Sequence, residues 1–155
     1  MDPQLPPDFS EFLALLNSEN VEYLVVGGYA VGHHGYPRPT GDLDLWLSVS
    51  RESADKVVAV LRRFGFPVDG ATAEMLSLPN RVFRMGVPPV RIELLTGVTG
   101  LRFAECYPRR VQATWSGVQV PLIARDDLIK NKRAAGRHKD LNDVERLTEQ
   151  GEAGQ

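Results

Sequence analysis

The sequence predicts an α/β protein, and three observations predict it. A β-prone run at residues 21–26 meets Gly27-Gly28 and then a short stretch with helical spacing toward His34, which makes a strand, glycine turn, helix unit. Residues 42–47 alternate strictly, placing Leu43, Leu45 and Leu47 on one face and Asp42, Asp44 and Trp46 on the other, which is the period of a strand with one buried side. Phe9, Phe12, Leu13 and Leu16 recur at three- and four-residue steps, the mark of an amphipathic helix.

Taken in order, residues 1–8 are proline-rich and read as a loose lead-in, and the first helix runs from Phe9 to about Asn17 or Asn20. After the glycine unit, Pro37 and Pro39 break the chain before the Asp42 strand. Ser50 is placed to cap a helix through Val57, Val58 and Leu61 that Gly65 stops. Residues 81–85 and 90–95 flank a Gly-Val-Pro-Pro turn and read as paired strands, with Arg91, Glu93 and Leu95 sharing one face. A second hairpin is signalled by Ser116-Gly117 between residues 111–115 and 118–122. One helix then starts at Asp126 or Asp127, another at about Lys139, and the residues from about 150 to 155 read as a frayed tail.

A length of 155 residues, 43% hydrophobic and 25% charged, fits one domain spanning the chain with a core of its own; it argues against a multidomain enzyme, wholesale disorder or a fibrous repeat. Cys106 stands alone, which excludes an internal disulfide and a cysteine-based zinc site. No apolar run approaches the roughly 20 residues that cross a bilayer, and no basic segment leads into an apolar one, so the expectation is a cytoplasmic protein without a membrane partner. Charge is unevenly spread: residues 1–55 hold two bases against nine acids, residues 56–155 sixteen against eleven. The basic segment at 125–139 facing an acidic centre suits a metal-bridged anion between them, and a solvated helix face has the same charge pattern.

Asp42 and Asp44, two residues apart on a strand, point to the same side and can share hard cations. Oxygen ligands select magnesium or manganese over zinc, and Glu93 projects from its own strand as a third carboxylate. Three carboxylates allow two metals to align an in-line displacement. Alternating acids also keep an exposed strand face soluble. Gly27 and Gly28 have the composition for close backbone approach to phosphate, or for a tight turn without a ligand.

The order of these features, at residues 27–46 (GGYAVGHHGYPRPTGDLDLW), 90–96 (VRIELLT) and 127–144 (DLIKNKRAAGRHKDLNDV), resembles the nucleotidyltransferase superfamily typified by DNA polymerase beta. It is more closely similar to small bacterial stand-alone members related to abortive-infection and toxin-antitoxin systems. The resemblance implies a mixed sheet carrying the carboxylates on one face, helices packed on the other, and C-terminal helices closing a nucleotide cleft. It implies that Gly27 and Gly28 hold the triphosphate and that Asp42 and Asp44 hold the metal, with Glu93 where aspartate is more usual and Gly28 where many members carry serine. Lys132 is the expected cationic contact to the triphosphate, with Arg133, Arg137 and Lys139 beside it. Asp140 and Asp143 either orient those bases or cap and solubilise the last helix. Thr40 and Arg38 lie beside the metal strand, positioning phosphate or acceptor or making a turn.

His33 and His34 lack the four-residue spacing of a helical zinc pair and read as packing residues, as do Cys106 and, on balance, Trp46. The expected activity is transfer of a nucleoside monophosphate from a nucleoside triphosphate to a hydroxyl, with two Mg2+ or Mn2+ ions. The resemblance offers a partner toxin's side chain, a tRNA 3' end or a small molecule such as an antibiotic as acceptor, and the small size of the domain favours a macromolecule. The alternative is a catalytically weak antitoxin or regulatory module on the same fold.

Overall fold

The computed structural model describes residues 3–37 and 39–153. The elements follow in the order α1 (Pro7–Ser18), β1 (Tyr23–Val26), α2 (Gly27–His33), β2 (Asp42–Leu47), α3 (Arg51–Arg63), α4 (Gly70–Leu76), β3 (Val82–Met85) and β4 (Arg91–Leu95). The short α5 (Phe103–Cys106) and one 3-10 turn lead to β5 (Val111–Trp115), β6 (Val118–Leu122), α6 (Arg125–Ala135) and α7 (His138–Ala153).

The six strands form one mixed sheet in the order β3-β4-β2-β1-β6-β5. β2 pairs antiparallel with β1 and parallel with β4, in a register that sets Asp44 opposite both Val26 and Glu93. The outer strands β3 and β5 are hairpin partners of β4 and β6. Leu43, Leu45 and Leu47 are fully buried as their alternation requires, and they join Phe9, Phe12, Leu13, Leu16, Val57 and Leu61 in one continuous core. Each such side chain contributes about 1.5–3 kcal/mol on burial.

Local signals explain the boundaries. Ser50 Oγ accepts from Ser53 N at 2.9 Å, closing the first turn of α3, and Gly65 ends that helix at φ +92°. Gly136, at φ +67°, turns the chain between α6 and α7. Two stretches differ from the sequence reading. The lead-in expected to be loose contributes to the fold: Leu5 is buried, its N–H donates to Ser116 Oγ at 3.3 Å, and α1 already begins at Pro7, a residue suited to a helix start. At the other end α7 continues to Ala153, past the point where fraying was expected. The unforeseen α4 is capped by Asp69, whose carboxylate accepts from Thr72 N at 2.9 Å. Among the described residues no helix is long and apolar enough to cross a membrane.

Candidate active site

β1, β2 and β4 bring the glycine pair and the carboxylates to one cleft of about 380 Å³, and α6 with the start of α7 forms its opposite wall. Gly27 ends β1 at φ +69°, a conformation that favours glycine, and its open side faces Asp44. A side chain on Gly27 would overlap Asp44 Oδ2. A Cβ on Gly28 would fall 2.7 Å from Thr40 Oγ1 and 2.9 Å from Thr40 Cβ. Thr40 therefore occupies the space that a side chain at position 28 would need. Thr40 Oγ1 in turn donates to the Asp42 carbonyl at 3.2 Å.

The carboxylates line the cleft in unequal states. Asp42 accepts a two-pronged bond from Arg91, 2.8 Å from Nε and 3.1 Å from the second nitrogen. Glu93 is paired with Arg84 at 2.9 Å and, more loosely, with Arg91 at 3.5 Å. Among the described residues no arginine pairs with Asp44. Burial first, then its hydrogen bond to Glu93 and the negative charges of Glu93 and Asp42, push its carboxyl up to about 7 against the pull of Lys132. Asp44 Oδ1 is buried without a hydrogen-bond partner.

Among the described residues no three His, Cys, Asp or Glu side chains converge closely enough to hold a metal ion. The expected three-carboxylate set is thus an Asp44–Glu93 pair with Asp42 drawn aside by Arg91. That pair does suit a hard divalent cation: it offers oxygen donors only, one of them buried and unpartnered, and magnesium commonly takes one or two carboxylates with substrate and water completing its shell.

Across the cleft, the Lys132 side chain is only 8% exposed and its ammonium lies 3.3 Å from Asp140 Oδ1 and 3.2 Å from Asp143 Oδ2. Both aspartates are buried, so of the two roles open to them, orienting the bases is the one their geometry serves. Asp140 also accepts from Arg137 Nε at 2.7 Å. Burial would raise the Asp140 carboxyl, but Arg137 and Lys132 outweigh it and hold it below its ordinary value. Arg137 and Lys139 line the cleft with Lys132. Arg133 does not: it is exposed on another side of α6, about 100° around the helix from Lys132. Arg38 lies outside the described residues.

The sequence motifs do not single out Arg84 or Asn131 as cleft residues, nor Arg91 as the partner of Asp42. Arg91 shares a face with Glu93 by strand alternation, and Arg84 faces Glu93 across the β3–β4 hairpin, so both are recoverable from register. Asn131 donates to the Thr99 carbonyl at 2.9 Å, fixing the loop that rims the cleft, and no local signal marks it. His34 Nε2 bonds to the Ile123 carbonyl at 2.7 Å, His33 packs near Trp115, and Trp46 meets Phe103 edge-on at 5.3 Å. All three serve packing in this geometry, and Cys106 is buried.

No protein-family model and no curated protein sequence matches this chain. Among solved structures it is similar to an antigenic nucleotidyltransferase-like protein from Paracoccidioides brasiliensis, with a TM-score of 0.54 and 20% identity over 89% of this chain and 72% of that one. It is also similar to the lincosamide antibiotic adenylyltransferase LnuA in its lincomycin-bound structure, with a TM-score of 0.54 and 11% identity over 94% and 97% of the two chains. The architecture is the nucleotidyltransferase fold, a mixed sheet with its carboxylates facing a cleft that the C-terminal helices close.

Proposed function

We propose that the cleft binds a nucleoside triphosphate and transfers its nucleoside monophosphate to a hydroxyl acceptor, releasing pyrophosphate. One observation carries this reading: the Asp44–Glu93 pair and the buried Lys132 line the same cleft, which Gly27 and Gly28 line as well. An acidic side and a cationic side of one cleft fit a polyanion that arrives with its own cation.

In the transfer the acceptor oxygen bonds to the α-phosphorus, the bond from that phosphorus to the bridging oxygen of the β-phosphate breaks, and pyrophosphate leaves with the electron pair. The hydroxyl proton passes to a cleft carboxylate or to water. Lys132, Arg137 and Lys139 hold phosphate oxygens, Gly27 and Gly28 admit the triphosphate to the backbone, and Thr40 offers its hydroxyl beside Gly28. Asp44 and Glu93 are the residues that would hold Mg2+ or Mn2+, with Asp42 joining them only if Arg91 released it, and the ion would neutralise phosphate charge and activate the hydroxyl.

The acceptor classes under this reading are a partner protein of the toxin-antitoxin kind, a tRNA end and a small molecule; lincomycin in the LnuA structure exemplifies the last. A cytoplasmic setting supplies triphosphate and magnesium together. A specific observation favours a second reading, a catalytically weak antitoxin or regulatory module: Arg91 holds both oxygens of Asp42.

The test is magnesium-dependent binding and pyrophosphate release with each of the four nucleoside triphosphates, native protein against the Asp42→Ala/Asp44→Ala double variant. Magnesium-dependent binding that the double variant abolishes, with turnover, supports the transferase. Binding without turnover in the presence of candidate acceptors supports the regulatory module, and no binding by well-folded protein overturns both.

A further inference from the structure

We propose that Asp140 and Asp143 of α7 are positioning residues that set the Lys132 ammonium for triphosphate recognition; this rests on the reading of the cleft as a triphosphate site. Lysine normally brings its charge on a flexible four-carbon stem and stays in water. Lys132 does neither, since its side chain is 8% exposed and its ammonium is shared between Asp140 at 1% and Asp143 at 2% exposure.

Stability is a poor explanation for such a cluster. Burying three charges costs several kcal/mol per ion in desolvation, and apolar residues of similar volume often do as well. What the arrangement does achieve is a fixed cation at the cleft wall. The ammonium donates to Asp140 at 3.3 Å and forms an ion pair with Asp143 at 3.2 Å, aspartates eight and eleven residues further along the chain on a different helix, and an ammonium carries three donors in all. Asp140 extends the same control to Arg137, which also lines the cleft, accepting from its Nε at 2.7 Å and from a second guanidinium nitrogen at 3.4 Å. The packing of α7 on α6 thereby becomes part of anion recognition, although α7 brings few phosphate-binding groups of its own.

The experiment compares native protein, Asp143→Asn, Asp143→Glu, Lys132→Met and the Lys132→Met/Asp143→Asn pair. ATP and inorganic triphosphate, each with Mg2+, are titrated by calorimetry, and Lys132 accessibility is read from acetic anhydride labelling with mass spectrometry. Asp143→Asn is expected to weaken triphosphate binding about tenfold and raise KM more than it lowers kcat, with partial recovery in Asp143→Glu. In the Lys132→Met background the same change should have less than about a twofold effect, because there is no ammonium left to position. Lys132 labelling should rise several-fold in Asp143→Asn at unchanged circular dichroism; if that variant does not fold, Asp143→Glu and Asp140→Glu carry the comparison. Equal losses in both backgrounds, or Lys132 labelling unchanged by Asp143→Asn, would overturn the positioning role. Native protein that protects Lys132 yet binds no triphosphate would overturn the triphosphate reading, and the recognition role with it, while leaving the structural hold on Lys132 intact.

Discussion

Gly27 and Asp44 are packed so closely across the β1–β2 pair that a single methyl group on Gly27 would overlap the Asp44 carboxylate. Gly27 also sits at φ +69°, where an L side chain costs roughly 1–2 kcal/mol. Gly65 has a similar burden, φ +92°, with nothing within 4 Å of an added Cβ. Gly65→Ala therefore reports backbone strain alone, while Gly27→Ala adds displacement of Asp44. Urea unfolding should show the larger loss for Gly27→Ala, by about 1 kcal/mol or more, and nucleotide binding should fall only there. Equal losses and equal binding would mean that the Asp44 contact relaxes freely.

Gly28→Ser would add a hydroxyl beside the glycine turn, yet it should harm this protein. The new Cβ would lie 2.7 Å from Thr40 Oγ1, too close without movement of the loop before β2. Thr40→Gly in the same chain removes the obstruction. The expected pattern is a loss of stability of about 1–3 kcal/mol in Gly28→Ser and substantial recovery in Gly28→Ser/Thr40→Gly, measured as a double-mutant cycle. Additive losses would show that the two side chains do not compete for space.

Asp44 gives the metal-free protein a pH dependence with a definite sign. Its carboxyl is raised to about 7 when folded, above the usual carboxylate range, so the folded state keeps a proton that the unfolded chain releases. The stability from this group is full below about pH 4, declines as pH rises toward 7 and is flat above, with a slope of at most about 1.4 kcal/mol per pH unit. Asp44→Asn removes the titration. Without divalent cations, its stability advantage over native protein should grow between pH 4 and 7 and level off beyond. A gap constant across that range would mean that Asp44 ionises as an ordinary surface carboxylate does.

Strand alternation makes Asp42 and Asp44 legible as one face of β2, and Glu93 as sharing a face of β4 with Arg91, because a period of two leaves no choice of side within a strand. The helix caps at Ser50 and Gly65 are legible for a related reason, that one residue type solves one local problem. What alternation cannot reveal is which neighbour each carboxylate chooses. Arg91 taking Asp42 depends on β4 lying parallel to β2 in one particular register, a long-range pairing without a local signature. The buried state of Lys132 is hidden likewise, since exposure of a basic helix face is the ordinary outcome and only the packing of α7 reverses it. The lead-in departs from its expected looseness because Pro7 begins a helix and Leu5 finds the core, two roles that a proline-rich composition conceals.

The grip of Arg91 on Asp42 places an internal cation where a divalent ion would compete. Arg91→Met should free Asp42 to act with Asp44 and Glu93, leaving three carboxylates whose mutual repulsion favours an external cation. Thermal unfolding with and without Mg2+ at about 10 mM checks this through linkage. Arg91→Met should unfold at lower temperature than native protein without magnesium and gain more on its addition. An equal gain in both proteins would show that Arg91 does not limit cation binding.

Lys132 and Arg133 are adjacent bases on α6, and the helix sends them to different environments. A step of one residue turns about 100°, so when Lys132 points into the cleft between Asp140 and Asp143, Arg133 faces solvent. Charge neutralisation at the two positions is therefore unequal in effect, although each removes one unit from the same basic segment. Lys132→Met should weaken triphosphate binding at least tenfold, since a fixed cation in a partly enclosed cleft acts at short range and low screening. Arg133→Met should change binding less than about twofold at roughly 0.15 M salt, where the Debye length of about 8 Å screens an exposed charge outside the cleft. Titrating both variants at low and physiological salt separates the two cases: any Arg133 effect should vanish as salt rises, and the Lys132 effect should persist. Comparable, salt-sensitive losses at both positions would mean that the basic segment attracts the anion as a diffuse field, with no special place for the buried ammonium.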